Sequence, residues 1–248
     1  MADASLLGRI GFFAGAEPNR LAEAAASASL LTVAPGAVVL DFGENSSDVF
    51  AIIEGAVRVV VRAPDGEELV LTDLGPGELF GEMAAIDGAP RSANITALYR
   101  TVLCRLPAEA FLAVVLHSPA LGRRLLHLLA ERIRAKDERI LELVTLPVRL
   151  RLCADLLRLA RPRGDGMLVL SPPLQQHVLA ARIGARREAV SRELAALGRS
   201  GLVESGPRAI LLRDPARLRA MVQAGREGTA AQRGGKDMQD AARPPQLR

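Results

Sequence analysis

Tryptophan is absent from the 248-residue chain, tyrosine occurs once, at Tyr99, and aromatic residues make up 3% of the total. A platform for stacking single-stranded bases needs more rings than this, so duplex DNA is the nucleic-acid partner the composition favours. Cysteine occurs twice, at Cys104 and Cys153. Two distant thiols make neither a disulfide framework nor a four-cysteine metal or iron–sulfur cluster, and they read as small buried residues in a reducing compartment. No segment approaches the roughly eighteen uninterrupted apolar residues of a membrane span. The opening MADASLLGRIGFFAGA carries Asp3 before any basic residue and Arg9 inside its apolar run, a poor secretory signal. A soluble, cytoplasmic, bacterial-type protein without a membrane partner is expected. His117, His127 and His177 lack metal-ligand spacing, and no Ser/His/Asp or Cys/His set points to an enzyme. Neither metal nor catalytic activity is expected.

The net charge of +4 conceals an asymmetry. Residues 1–146 hold 13 basic and 19 acidic side chains, a balance of −6, whereas residues 147–225 hold 14 and 6, a balance of +8. An acidic first part joined to a basic second part suggests that only the second faces a polyanion. Residues 5–30 read as short helical pieces. From Val33 to Leu106 short β-rich runs (VVL, VFAIIE, AVRVVVR, ELVLTDL, ANITAL, TVLCRL) alternate with Pro/Gly turns, the signature of a small β-sandwich or barrel. Pro64-Asp65-Gly66 between two of these runs is a hairpin signal.

After Pro107 the turns stop. Gly122, Leu126, Leu129, Ile133, Lys136, Ile140 and Leu143 follow a 4-3 spacing with charged flanks, which favours a dimer seam over packing within one domain. Pro147 marks a break. Residues 174–183 and 186–198 read as two helices about a tight turn at Gly184, followed by a hairpin at Ser205-Gly206-Pro207, the plan of a winged helix-turn-helix. In ARREAVSREL, Arg187, Glu188, Ser191 and Arg192 share one exposed helical face, while Ala189, Val190 and Leu194 face inward. Arginine forks suit guanine O6/N7 and Glu188 can accept from cytosine N4. A solvated helix with internal Glu–Arg pairs is the alternative, and the Gly turn before this face, the wing after it and the +8 balance of the segment favour DNA over it. The tail from Gly225 is polar and Gly/Pro-containing, and disorder is expected there.

One further stretch, FGEMAAIDGAPRSANI at residues 80–95, brackets a small loop with Glu82 and Arg91. They can form a surface ion pair, or they can line a pocket for a ligand bearing a hydroxyl and a phosphate. A short helix from Gly81-Glu82 would present backbone N–H groups to an anion, Arg91 can donate twice, and Ser92 adds a hydroxyl.

From about residue 30 to 222 the chain resembles the CRP/FNR family of bacterial transcription regulators. FGEMAAIDGAPRSA is similar to the phosphate-binding cassette of cyclic-nucleotide-binding domains, and IGARREAVSREL to the family's recognition helix. The resemblance implies an α+β protein. Its parts are a cyclic-nucleotide-binding β-roll (jelly-roll) over residues 1–117, a dimerisation helix and hinge over 118–146, a winged helix-turn-helix over 147–225 and a disordered tail over 226–248. It implies cAMP or cGMP held by Gly81, Glu82, Met83, Arg91, Ser92, Arg132, Lys136 and Asp137, with Glu82 accepting from the ribose 2′-OH and Arg91 chelating the phosphate. It implies DNA contacts from Arg186, Arg187, Glu188, Ser191 and Arg192, with Gln175 and Gln176 at the first helix, and a homodimer reading a palindrome built on TGTGA. RNA polymerase is a further expected partner. Lys136 and Asp137 stand where cAMP-responsive relatives carry two small hydroxyl residues. Asp137 can accept from adenine N6 or guanine N1/N2 and Lys136 can donate to O6 or N7, so cGMP competes with cAMP. Alternatively the two pair across the dimer without touching a base. Gln175 and Val178 replace the family's Thr cap and Glu, and Ser171 with Pro172 is expected to cap that helix earlier. A different effector, or an interaction module that does not read DNA, remain the alternatives.

Overall fold

The computed structural model describes residues 4–62, 66 and 68–241. It divides into two compact units, residues 1–134 and 135–248.

The first unit opens with α1 (Ala4–Arg9), a 3-10 turn at Gly11–Phe13 and α2 (Pro18–Ser27), then β1 (Ser29–Val33), β2 (Val38–Leu40), β3 (Val49–Glu54), β4 (Val57–Arg62), β5 (Glu68–Leu74) and β6 (Leu79–Phe80). A single short helix, α3 (Glu82–Asp87), interrupts the strands before β7 (Asn94–Ala97) and β8 (Thr101–Leu106). Helices α4 (Ala108–His117) and α5 (Pro119–Thr145) complete it, α5 running on into the second unit. Two antiparallel sheets, ordered β1-β8-β3-β6 and β2-β7-β4-β5, make the expected jelly roll. The period-2 alternation of VFAIIE explains why β3 is central: Phe50 and Ile52 join the apolar cluster with Leu40, Val57, Leu74, Ile95 and Leu103, while Val49 and Ala51 join Phe12, Phe13, Phe111 and Leu121 under the helices. Phe50 and Phe80 stack at 5.1 Å. β4 and β5 pair as the hairpin signal predicts, Arg58 chelating Asp73 at 2.7 and 2.9 Å across the ladder. The Pro64-Asp65 part of their turn lies outside the described residues.

The second unit holds the last turns of α5 and then α6 (Val148–Leu159), β9 (Arg161–Pro162), β10 (Leu168–Leu170), α7 (Gln176–Ile183), α8 (Arg187–Arg199), β11 (Val203–Ser205), β12 (Ile210–Leu212) and α9 (Pro215–Ala241). Its sheet runs β11-β12-β10-β9, so the wing hairpin is extended by two further strands. Leu152, Leu156, Leu179, Ile183, Val190, Leu197, Leu212 and Leu218 form the core. Two further expectations are corrected. Ser171-Pro172 does not cap α7: the chain there is non-helical, Ser171 Oγ donates to Arg208 O at 3.2 Å, and α7 begins at Gln176 with Gln175 at its N-cap. The break expected at Pro147 is present, between the end of α5 at Thr145 and the start of α6 at Val148. The segment from Gly225 expected to be irregular is helical through Ala241, because α9, seated on the core by Leu218 and Val222, propagates beyond it.

Candidate functional site

Gly81 is the pivot of the first candidate site. It follows β6 in the left-handed region, at φ 85°, and serves as N-cap of α3. A Cβ there would lie 2.7 Å from Asp48 O and 2.9 Å from Arg91 Nη1, so both the backbone angle and the space admit glycine alone. The close approach serves Arg91. Its side chain is buried (3% exposed) and held by three oxygens: Nε donates to Ser46 Oγ at 2.8 Å, Nη1 to Gly81 O at 2.9 Å and Nη2 to Asp48 O at 2.8 Å. Its main chain is clamped by the same loop, Arg91 N donating to Glu44 O at 3.0 Å and Gly43 N to Arg91 O at 2.9 Å. Burial lowers the Arg91 pKa from its ordinary value, opposed by the charges of Glu44, Asp48 and Glu82. The result is a buried guanidinium bonded to neutral oxygens, with three of its five N–H groups committed.

Glu82 is equally buried (2% exposed), yet its bonded partner is not Arg91. Arg132, from α5, donates through Nη1 to Glu82 Oε1 at 2.6 Å and through Nη2 to Leu79 O at 2.5 Å. The Glu82–Arg91 ion pair that the sequence left open is therefore replaced by two separate, buried arrangements. Ser92 is exposed beside them, its Oγ 3.9 Å from the sulfur of the half-exposed Met83. Gly81, Glu82, Met83, Arg91, Ser92 and Arg132 thus gather at α3, whereas Lys136 and Asp137 are exposed positions of α5 within the second unit. Sequence reasoning missed Ser46 and Asp48. Their only local sign is the polar run Asp41–Asp48 between two apolar strands.

The second candidate site is the outer face of α8. Gly184, at φ 55°, makes the turn, Arg186 is the N-cap, and Val190, Leu194 and Leu197 bury the inner face. Arg186, Arg187, Glu188, Ser191 and Arg192 are all exposed. Glu193, on the flank of the helix, binds Arg149 at 2.8 Å; among the described residues no such ion pair joins Glu188 to the neighbouring arginines. Gln175 is exposed and Gln176 half-buried at the start of α7.

Comparison with known proteins spans both regions. Residues 30–118 match the cyclic nucleotide-binding domain and residues 150–221 the Crp-like helix-turn-helix domain. The chain is 31% identical over 216 residues to the CRP-like cAMP-activated global transcriptional regulator of Mycobacterium tuberculosis, covering 86% of this chain and 96% of that protein. It is 38% identical over 176 residues to the cyclic AMP receptor protein of Thermus thermophilus, covering 71% and 80%. The solved structure of a CRP/FNR-family transcriptional regulator from Thermus thermophilus superimposes with a TM-score of 0.64 at 27% identity, over 79% of this chain and 98% of that one.

Proposed function

The chain belongs to the CRP/FNR family of transcription regulators, and from that membership we propose a homodimeric regulator gated by cAMP or cGMP that reads a palindromic, TGTGA-like site. The observation that carries the ligand half is Arg91. A buried guanidinium, aimed by three neutral oxygens and, among the described residues, without a bonded carboxylate, is suited to the charge of a cyclic phosphate, with Ser92 exposed beside it. Glu82 is oriented by Arg132 through Oε1, and its carboxylate is the group suited to accept from a ribose hydroxyl. The exposed Arg186, Arg187, Glu188, Ser191 and Arg192 on a basic unit support base reading. The exposed stripe of Leu126, Ile133, Ile140 and Val144 along α5 supports pairing with a second copy. Domain limits of 1–117, 118–146 and 147–225, RNA polymerase as a partner, and a cytoplasmic location belong to the same reading. No helix among the described residues is long and apolar enough to cross a membrane.

A regulator of this architecture with another effector is the second reading, and Lys136 and Asp137 are what favour it. Calorimetric titration with cAMP and cGMP side by side decides. Micromolar binding, one site per protomer, is expected with at least one; no heat with either, from a folded dimer, overturns the ligand assignment.

A further inference from the structure

Two carboxylates are buried in the second unit, Asp155 at 0% and Glu142 at 2% exposure, and four arginines converge on them. Asp155, on α6, accepts from Arg182 Nε at 2.8 Å and from Arg158 Nη1 at 3.0 Å, with Arg139 Nη1 at 3.6 Å. Glu142, on α5, accepts from Arg158 Nη2 at 2.8 Å, Arg226 Nη2 at 2.8 Å and Arg139 Nη1 at 3.3 Å. The network therefore ties α5 to α6, to α7 and to α9. Apolar packing does not duplicate it: among the described residues, no side chain of 135–145 belongs to the apolar core of this unit, and Ile140, Leu141 and Val144 are exposed. The last turns of α5 are attached to the unit ionically. Apolar contact is non-directional, whereas forked arginine–carboxylate bonds fix an angle. Burial lowers the Arg139 pKa from its ordinary value, and Asp155 is the largest opposing influence.

Resting on the DNA-binding reading above, we propose that Glu142 and Asp155 are positioning residues for DNA recognition. Through Arg139, Arg158 and Arg182 they lock the last turns of α5 to α7, the helix on which α8 packs, so that residues 139–199 turn as one body. Neither carboxylate touches DNA; their effect is on the register in which α8 is presented.

The test uses the full chain, with Glu142→Gln and, as a milder cut, Arg139→Gln. Hydrogen exchange is followed at the amides of 139–145 and of α8, and binding to palindromic and random duplex is measured by fluorescence anisotropy with cAMP or cGMP present. In the wild type the 139–145 amides are expected to exchange no faster than those of α7. Fraying of that stretch in the wild type overturns the lock, whatever the variants do. In either folded variant these amides should exchange at least about tenfold faster while Val190 and Leu194 keep their protection. Preference for the palindrome should fall about tenfold, with random-duplex affinity and its salt slope unchanged. Unchanged exchange together with unchanged preference refutes the proposal. If the wild type itself shows no preference for a palindrome, the DNA reading fails, and the exchange data still report on the lock alone.

Discussion

Replacing Gly81 by alanine adds one methyl group at the place where Asp48 O, Arg91 Nη1 and a left-handed backbone meet. The conformation at φ 85° costs an L-residue about 1–2 kcal/mol. The added Cβ at 2.7 Å from a backbone oxygen is relieved only if Asp48 withdraws, and Asp48 O is the acceptor of Arg91 Nη2. Overpacking of this kind costs about a further 1–3 kcal/mol. The sum, about 2–5 kcal/mol, falls on the loop that aims Arg91, so nucleotide affinity is expected to drop at least about tenfold and the melting temperature by roughly 5 °C or more. Gly77→Ala supplies the control. Gly77 has φ 86° with nothing within 4 Å of its Cβ position, so it carries the backbone cost without the crowding. Calorimetry with cAMP and cGMP, and thermal unfolding by circular dichroism, read both quantities. Equal losses in Gly81→Ala and Gly77→Ala would show that crowding against Arg91 is immaterial, and a glycine at residue 81 would then serve its turn alone and not the pocket.

Three further outcomes are expected. Arg187→Ala should cost about 1–3 kcal/mol on the preferred duplex and relax selectivity at one base pair, while random duplex is bound nearly as before; anisotropy against singly substituted half-sites checks this, and uniform weakening would recast Arg187 as a phosphate contact. Ile133→Glu places a charge on the exposed stripe of α5 and should move the protein from dimer to monomer at micromolar concentration in analytical ultracentrifugation; an unchanged dimer would assign pairing to another face. Burial pushes both thiols, Cys104 and Cys153, up to about 11. Each folded-state pKa lies above the unfolded value, so the stability this contributes is full below about pH 9 and is lost as pH rises toward 11. A pH series of denaturant melts should therefore decline across that window, with a smaller decline in the Cys104→Ala, Cys153→Ala double variant.

The jelly roll was legible because its sheets are patterned at period 2 and its turns carry Pro and Gly. The α8 face was legible because burial and exposure alternate at helical period about a fixed glycine. What escaped has a common physical origin in long-range partners. Nothing near Glu82 announces Arg132, 50 positions downstream, and nothing near Arg91 announces Ser46 and Asp48. The polar loop that binds Arg91 has no periodicity to read. Ser171-Pro172 carried a sound local cap signature, yet Arg208 O claimed the hydroxyl. The helix through Gly225 and beyond contradicts composition for the same reason: core contacts from Leu218 and Val222 anchor a helix whose distal sequence would not nucleate one.

The energies involved bear on how the proposed gating can work. A hundredfold preference of a nucleotide for the DNA-competent state corresponds to about 2.7 kcal/mol of differential binding. Arg91 is a poor source of that difference, since its three bonds to Ser46, Gly81 and Asp48 are made within the protein and aim it by themselves. The Glu82–Arg132 pair is a better one. It is buried on the glutamate side and involves a residue of α5, and breaking a buried pair costs about 3–5 kcal/mol, the scale required. A ribose hydroxyl donating to Glu82 would act directly beside that pair, and so on a residue of α5. On the same helix, Arg139 and Glu142 belong to the buried network of the second unit. Under the proposed function, then, the phosphate sets affinity through Arg91, and the response to ligand is carried by the side chains of α5.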